Sequence, residues 1–192
     1  MKKIILLFTA LMLCISMILG VTSCGTKHPI EKFKSKMTKA NSYQMSVTMS
    51  NVPFFGTVTM TTKVDGNIEY TPANMFEEEE YTETIGDIKY KYTKNDDGTW
   101  SKTQDTKKND SGVTGNKTMD ELFNPDNYEK VKDKENTYKQ KKDVTFDDFE
   151  DVIITIEEDS CTIEMTSTDE GYGVKLVISK IGEIELTLPS VK

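Results

Sequence analysis

The chain has 192 residues, with 24 basic positions, all of them lysine, against 32 acidic ones, for a formal net charge of −8. Arginine is the usual choice for bidentate phosphate and base contacts, so its absence together with the acidic balance excludes nucleic acid as a natural partner. The length fits a single domain with a real core.

Met1-Lys2-Lys3 is a short positive head, followed by the uncharged run Ile4–Leu19 and then the small residues Gly20, Thr22 and Ser23. This is the layout of a secretory signal. A transmembrane anchor is the alternative, but a spanning helix needs about 20 apolar residues and this run is shorter. The tetrapeptide Val21-Thr22-Ser23-Cys24 resembles the bacterial lipobox. That resemblance implies a signal peptide over 1–23, a diacylglyceryl group on the Cys24 sulfur, and a lipidated tether over 24–28. Two acyl chains make attachment stable where one is marginal, so the expected location is the extracytoplasmic face of the cell membrane. Loss of Lys2 and Lys3 with the signal takes the net charge from −8 to −10. Of the three cysteines, Cys14 leaves with the signal and Cys24 is lipidated. Cys161 is left without a disulfide partner and is read as a buried small hydrophobe.

The domain is expected over 29–192. A helix is predicted at His28–Ala40, with Pro29 at the first helical position. Ile30, Phe33, Met37 and Ala40 form its apolar stripe, and Lys32, Lys34, Lys36 and Lys39 occupy the other face. With only Gly25 to His28 between lipid and helix, about 13 Å at ~3.3 Å per residue, those four lysines are candidates to face anionic lipid. From Tyr43 the period becomes two. Tyr43, Met45, Val47 and Met49 alternate with polar residues, and so do Val58, Met60 and Val64. Val64-Asp65-Gly66-Asn67 reads as a hairpin turn into Ile68 and Tyr70. Ile88, Tyr90 and Tyr92 sit opposite Lys89 and Lys91, and a turn leads to Trp100. Residues 105–117 read as an exposed loop. A short helix is expected after Thr118, with Glu121 completing a capping box. Edge strands are expected between Asn124 and Lys142, and a helical turn near 144–152. Strands carrying Val152, Ile154 and Ile156, then Ile163 and Met165, then Val174, Leu176 and Ile178 follow. A last strand is expected to carry Ile184, Leu186 and Leu188. Short turns between half-apolar strands indicate an antiparallel sheet. The predicted class is mainly β (α+β), one curved antiparallel sheet or half-barrel with a few covering helices.

Chemistry is sparse. His28 is the only histidine, no Cys/His pair suits zinc, Cys161 has no base partner, and no glycine-rich phosphate loop occurs. The acidic runs Glu77–Glu80 and Asp147–Asp151 lack the spacing of a calcium loop and read as solvated faces. A carboxylate pair for glycoside hydrolysis has no sequence signature, but no substrate-gripping aromatic cluster accompanies these acids. The expectation is therefore a non-enzyme with no catalytic residue, metal or cofactor. Methionines at 37, 45, 49, 60, 75, 119 and 165 fall mostly on apolar parity. Flexible and polarizable, they suit either an ordinary core or a wall that accepts varied apolar shapes.

The lipobox, the amphipathic helix, the Lys63–Tyr70 hairpin, the Gly86–Trp100 pair and the terminal Ile181–Pro189 segment together resemble the LolA-like superfamily. It includes the periplasmic carriers LolA and LolB and mycobacterial lipid-binding lipoproteins of the LppX and LprG type; the chain is most similar to Gram-positive lipoproteins assigned near them. The resemblance covers most of 29–189 by pattern and order. It implies an unclosed half-barrel with helices over its mouth and a lipid-like ligand in the gap. Any arginine used by the carriers has no counterpart here. The residues expected to line such a site are Tyr43, Met45, Met49, Met60, Tyr90 and Met165. The alternative is a surface interaction or structural lipoprotein with a filled core and no small ligand.

Overall fold

The computed structural model describes residues 27–76, 78–105, 120–168 and 171–191. The signal peptide, Cys24, the cap at Thr118 and most of the 105–117 loop lie outside them.

The chain first forms α1 (Pro29–Ala40). His28 caps it, its Nδ1 accepting from the Ile30 N–H at 3.3 Å; Pro29 follows where a missing N–H costs nothing. Glu31 in the first turn and Lys39 in the last suit the helix dipole. The helix stops at Asn41, which takes the left-handed conformation and donates its N–H to Met37. Ile30, Phe33 and Met37 are the buried stripe, each worth about 1.5–3 kcal/mol of apolar burial.

The rest is one curved, unclosed sheet of eleven strands, and every ladder in it is antiparallel. The first meander is β1 (Ser42–Val52), β2 (Gly56–Asp65), β3 (Ile68–Thr71), β4 (Glu80–Ile85), β5 (Ile88–Lys94) and β6 (Trp100–Asp105). The second is β7 (Tyr128–Lys130), β8 (Thr137–Gln140), β9 (Phe149–Ile156), β10 (Cys161–Ser167) and β11 (Gly173–Ser179). They join where β1 pairs with β11, leaving β6 and β7 as the edges. The β2–β3 turn needs Gly66 at φ +61°, and its N–H is held by the Asn41 carbonyl at 2.8 Å, which ties the helix end to the sheet.

The main core lies on the face that meets α1. Tyr43, Met45, Val47 and Met49 of β1 and Val58, Met60 and Val64 of β2 share it with Val152, Ile154, Cys161, Ile163, Met165, Val174, Leu176 and Ile178. Leu122 and Phe123, at the end of a helical turn over 120–122, complete it, with Phe123 stacked on Phe33 at 6.2 Å.

Between β2 and β3 the apolar face changes sides. Buried Val64 lies opposite Glu69, and Glu69 lies opposite Thr82, which lies opposite Lys91. The face that is core in β1 and β2 is therefore polar in β3–β6. The other face carries Tyr70, Tyr81 and Tyr92, directly opposite one another in a row that ends at Lys102. The single continuous apolar face expected from the alternation is thereby corrected. The C-terminal segment explains how the second face is covered. The Ile184 N–H donates to Ser42 Oγ at 3.3 Å and the Leu186 N–H to Asp65 Oδ2 at 2.9 Å, and Val191 bridges Trp100. Ser42 and Asp65 are partners of opposite parity to Tyr43 and Val64, so the segment crosses the aromatic side. Ile184 and Tyr92 are buried outside the main cluster.

Two further expectations are corrected. Ile184, Leu186 and Leu188 do alternate inward, but they form no strand: the Ile184 and Leu186 N–H groups donate to side chains instead of a ladder. No helical turn forms over 144–152: Phe149 opens β9 and Asp151 sits at φ +54°, where β9 shifts register against β10. Of the one or two edge strands expected between Asn124 and Lys142, β7 is an edge, whereas β8 lies inside the sheet, paired with both β7 and β9; β4 had no counterpart among the expected strands.

Candidate functional site

Five of the six residues expected to line a ligand come together. Tyr43, Met45, Met49, Met60 and Met165 are 0–4% exposed within one apolar cluster. Tyr90 is not with them: it lies on the aromatic side of β5, opposite Glu83 and Gln104, with the Lys102 ammonium 4.2 Å from its ring centroid.

Two polar atoms interrupt the cluster. The hydroxyls of Tyr43 and Tyr128 are buried without a hydrogen-bond partner among the described residues. Desolvation, reinforced by the Glu69 charge, pushes the Tyr43 phenol far above its ordinary value. Desolvation, with Cys161 nearby, does the same for Tyr128. Burial likewise pushes the Cys161 thiol up. Burial favours the neutral form of all three groups, so the site offers two O–H donors in apolar surroundings. At its margin Glu69 accepts from Thr82 at 3.1 Å and pairs with Lys89 at 3.3 Å.

The four helix lysines divide. Lys34 pairs with Asp120 at 2.6 Å, and Lys36 pairs with Asp159 at 2.5 Å while donating to the Glu158 carbonyl at 2.9 Å. Lys32 and Lys39 are exposed and have no partner among the described residues. Two of the four lysines are therefore paired with acids elsewhere in the chain.

The aromatic side of β3–β6 escaped the sequence reading. Tyr70 and Tyr81 ring centroids are 4.5 Å apart, and Tyr81 meets Trp100 edge-on at 5.4 Å. The Tyr70 hydroxyl donates to Glu79 at 3.0 Å and the Tyr92 hydroxyl to Glu83 at 2.7 Å. Lys102 lies 3.0 Å from Glu83. The signal was present in the alternation of Ile88, Tyr90 and Tyr92, but nothing in it says which side that alternation faces. Among the described residues no group of three or more His, Cys, Asp or Glu side chains is placed to hold a metal.

Compared with protein-family models and with curated proteins, the chain has no match to either. The functional reading therefore rests on its own residues.

Proposed function

We propose that this chain is an extracytoplasmic lipoprotein, tethered through diacylglyceryl-Cys24, that holds an amphiphilic ligand between α1 and the face of the sheet it packs on. In this reading the sheet is a LolA-like half-barrel and α1 its cover. The observation that carries the ligand is the pair of buried, unpartnered hydroxyls, Tyr43 and Tyr128, in an otherwise apolar cluster. Such a hydroxyl costs about 1–3 kcal/mol, and an ester or headgroup oxygen would relieve it. The build of α1 supports its role as a cover. It is held by three buried side chains and by ion pairs to exposed acids, each pair worth about 1 kcal/mol or less. It can leave without breaking a sheet ladder.

Native mass spectrometry of the protein extracted from membranes tests both halves. A diacylglyceryl mass on the chain beginning at Cys24 reports the tether. A non-covalent, lipid-sized adduct that weakens in the Tyr43→Phe, Tyr128→Phe double variant reports the ligand. A second reading, an interaction or structural lipoprotein with a filled core, is favoured by the centre of the cluster. There Ile30, Met45, Leu122, Ile154, Cys161, Ile163, Leu176 and Ile178 are 0% exposed. A wild-type chain that carries no adduct would sink the ligand and leave this reading standing.

A further inference from the structure

The β1–β2 hairpin ends in Pro53-Phe54-Phe55, and its exposure has no structural use. Phe54 is 103% exposed and Met75 69%, while Phe55 is 37% exposed. Phe55 meets Phe76 edge-on at 5.2 Å, and Phe76 packs against the main core. The tip is thus braced from behind, with Phe54 projecting clear of it. Phe54 also adopts φ +69°. Of the seven described non-glycine residues with positive φ, five are Asn or Asp, one is Lys180, and Phe54 is the only apolar one. Glycine or asparagine would satisfy that turn at lower cost. A bulky aromatic held in a strained, fully wetted position points to a role outside the fold.

Charge selects the occupant. Residues 40–62 carry no charge, the longest such run beyond the leader in a chain that is 29% charged. The flank of the hairpin is instead lined with hydroxyl pairs, Ser46 with Thr61 at 3.0 Å and Thr48 with Thr59 at 2.9 Å. An uncharged tip can enter an apolar medium without the desolvation penalty of an ion. It also offers no charged side chain with which a protein partner could be chosen. We infer that the Phe54–Phe55 tip inserts into the interface of a lipid bilayer, as a second attachment beside the acyl chains.

The register makes this reachable. α1 ends beside Ser42 and Gly182, since the Gly182 N–H donates to the Ser42 carbonyl and the position of a Cβ on Gly182 would be 3.8 Å from Ala40. The helix begins where His28 packs on Tyr138 at 4.7 Å. Tyr138 shares a cross-sheet row with Ile154, Ile163, Leu176 and Val47, which is nearer the tip. The tip projects about 23 Å past that row at ~3.3 Å per residue, and the tether reaches about 13 Å from His28. A tilt of the strands against the membrane normal closes the difference. Glu78 and Glu79 follow Phe76 closely in sequence, so insertion into neutral lipid depends on apolar contact and changes little with salt, and the weakening that added anionic lipid brings is relieved by salt.

The inference rests on the tether reading only for presentation of the tip, and one experiment separates the two. The full chain carrying Phe54→Trp is reconstituted into phosphatidylcholine vesicles brominated near the interface or at mid-chain. Wild type, whose single tryptophan is Trp100, supplies the reference spectrum. The added tryptophan should emit to the blue of its position in detergent-free buffer and be quenched most by the interfacial bromine. Phe54→Asp combined with Phe55→Trp should abolish that quenching. Unshifted, unquenched emission from the first variant, or equal quenching in the second, overturns the inference. Acylation at Cys24, read from intact mass, decides the tether independently of either result.

Discussion

In β9–β11, β1 and β2 the apolar residues meet α1, whereas in β3–β6 they turn to the other side and meet a strip of extended chain. The first region builds a thick core from two elements of regular structure, with its central side chains fully excluded from water. The second is thin: Tyr92 and Ile184 are buried, while Tyr70, Tyr81 and Trp100 stay partly exposed. The thin side adds polar closure, through the hydroxyl–carboxylate bonds of Tyr70 and Tyr92 and the Lys102 ammonium over two rings. A sheet can therefore change its buried face between two hairpins, provided some other segment covers the face it exposes.

Substitutions on the two sides should differ in size and in reach. Ile163→Ala opens a void in the thick core and should cost about 2–5 kcal/mol, read as a lower urea midpoint with unchanged slope. A cost below about 1 kcal/mol would show that this region is no better packed than the other. Leu186→Ser with Leu188→Ser should cost less, about 2 kcal/mol. It should also act locally, accelerating amide exchange in β4–β6 while β9–β11 stay protected. Uniform acceleration would mean that the two sides unfold as one unit.

The smallest effect concerns pH. The Tyr92 hydroxyl and then Lys102 hold the Glu83 carboxyl below its ordinary range. The unfolded chain thus binds a proton at Glu83 before the folded one does. Its contribution to stability is full above the unfolded carboxylate range, near pH 4.3, and is lost as pH falls through the lower folded value. Glu83→Gln should flatten the acid limb of the stability curve below about pH 4.5 and leave amide exchange of β9–β11 unchanged. An unchanged acid limb would remove Glu83 from the account.

The strand alternation, the helix ending at Ala40 and the Gly66 turn were legible because each is a local demand on the backbone. The side of the sheet was not, since a period of two has no sign. β4 was hidden because its glutamates look like a solvated run. In place they pair across the sheet, Glu80 with Lys91 and Glu83 with Lys102, and leave Tyr81 facing its neighbours. The C-terminal segment alternates as a strand does, but Ser42 and Asp65, far away in sequence, capture its donors. Of the expected ligand-lining set, parity put the residues of β1, β2 and β10 on the one face where they share a cluster. Tyr90 was lost to the change of face.

The seam between β1 and β11 sets an order of assembly. Both meanders form from neighbouring hairpins, but Gln44 must wait for Ser179, and such distant pairing is slow. A ribosome releases β1 long before β11. Through that interval one side of β1 is an open edge, the kind of surface on which stray strands add. Its residues from Ser42 to Val52 have no lysine or proline to discourage them. The nascent chain is therefore most exposed to mispairing along β1, and a holdase that shields extended segments would raise its yield more than one that shields helices.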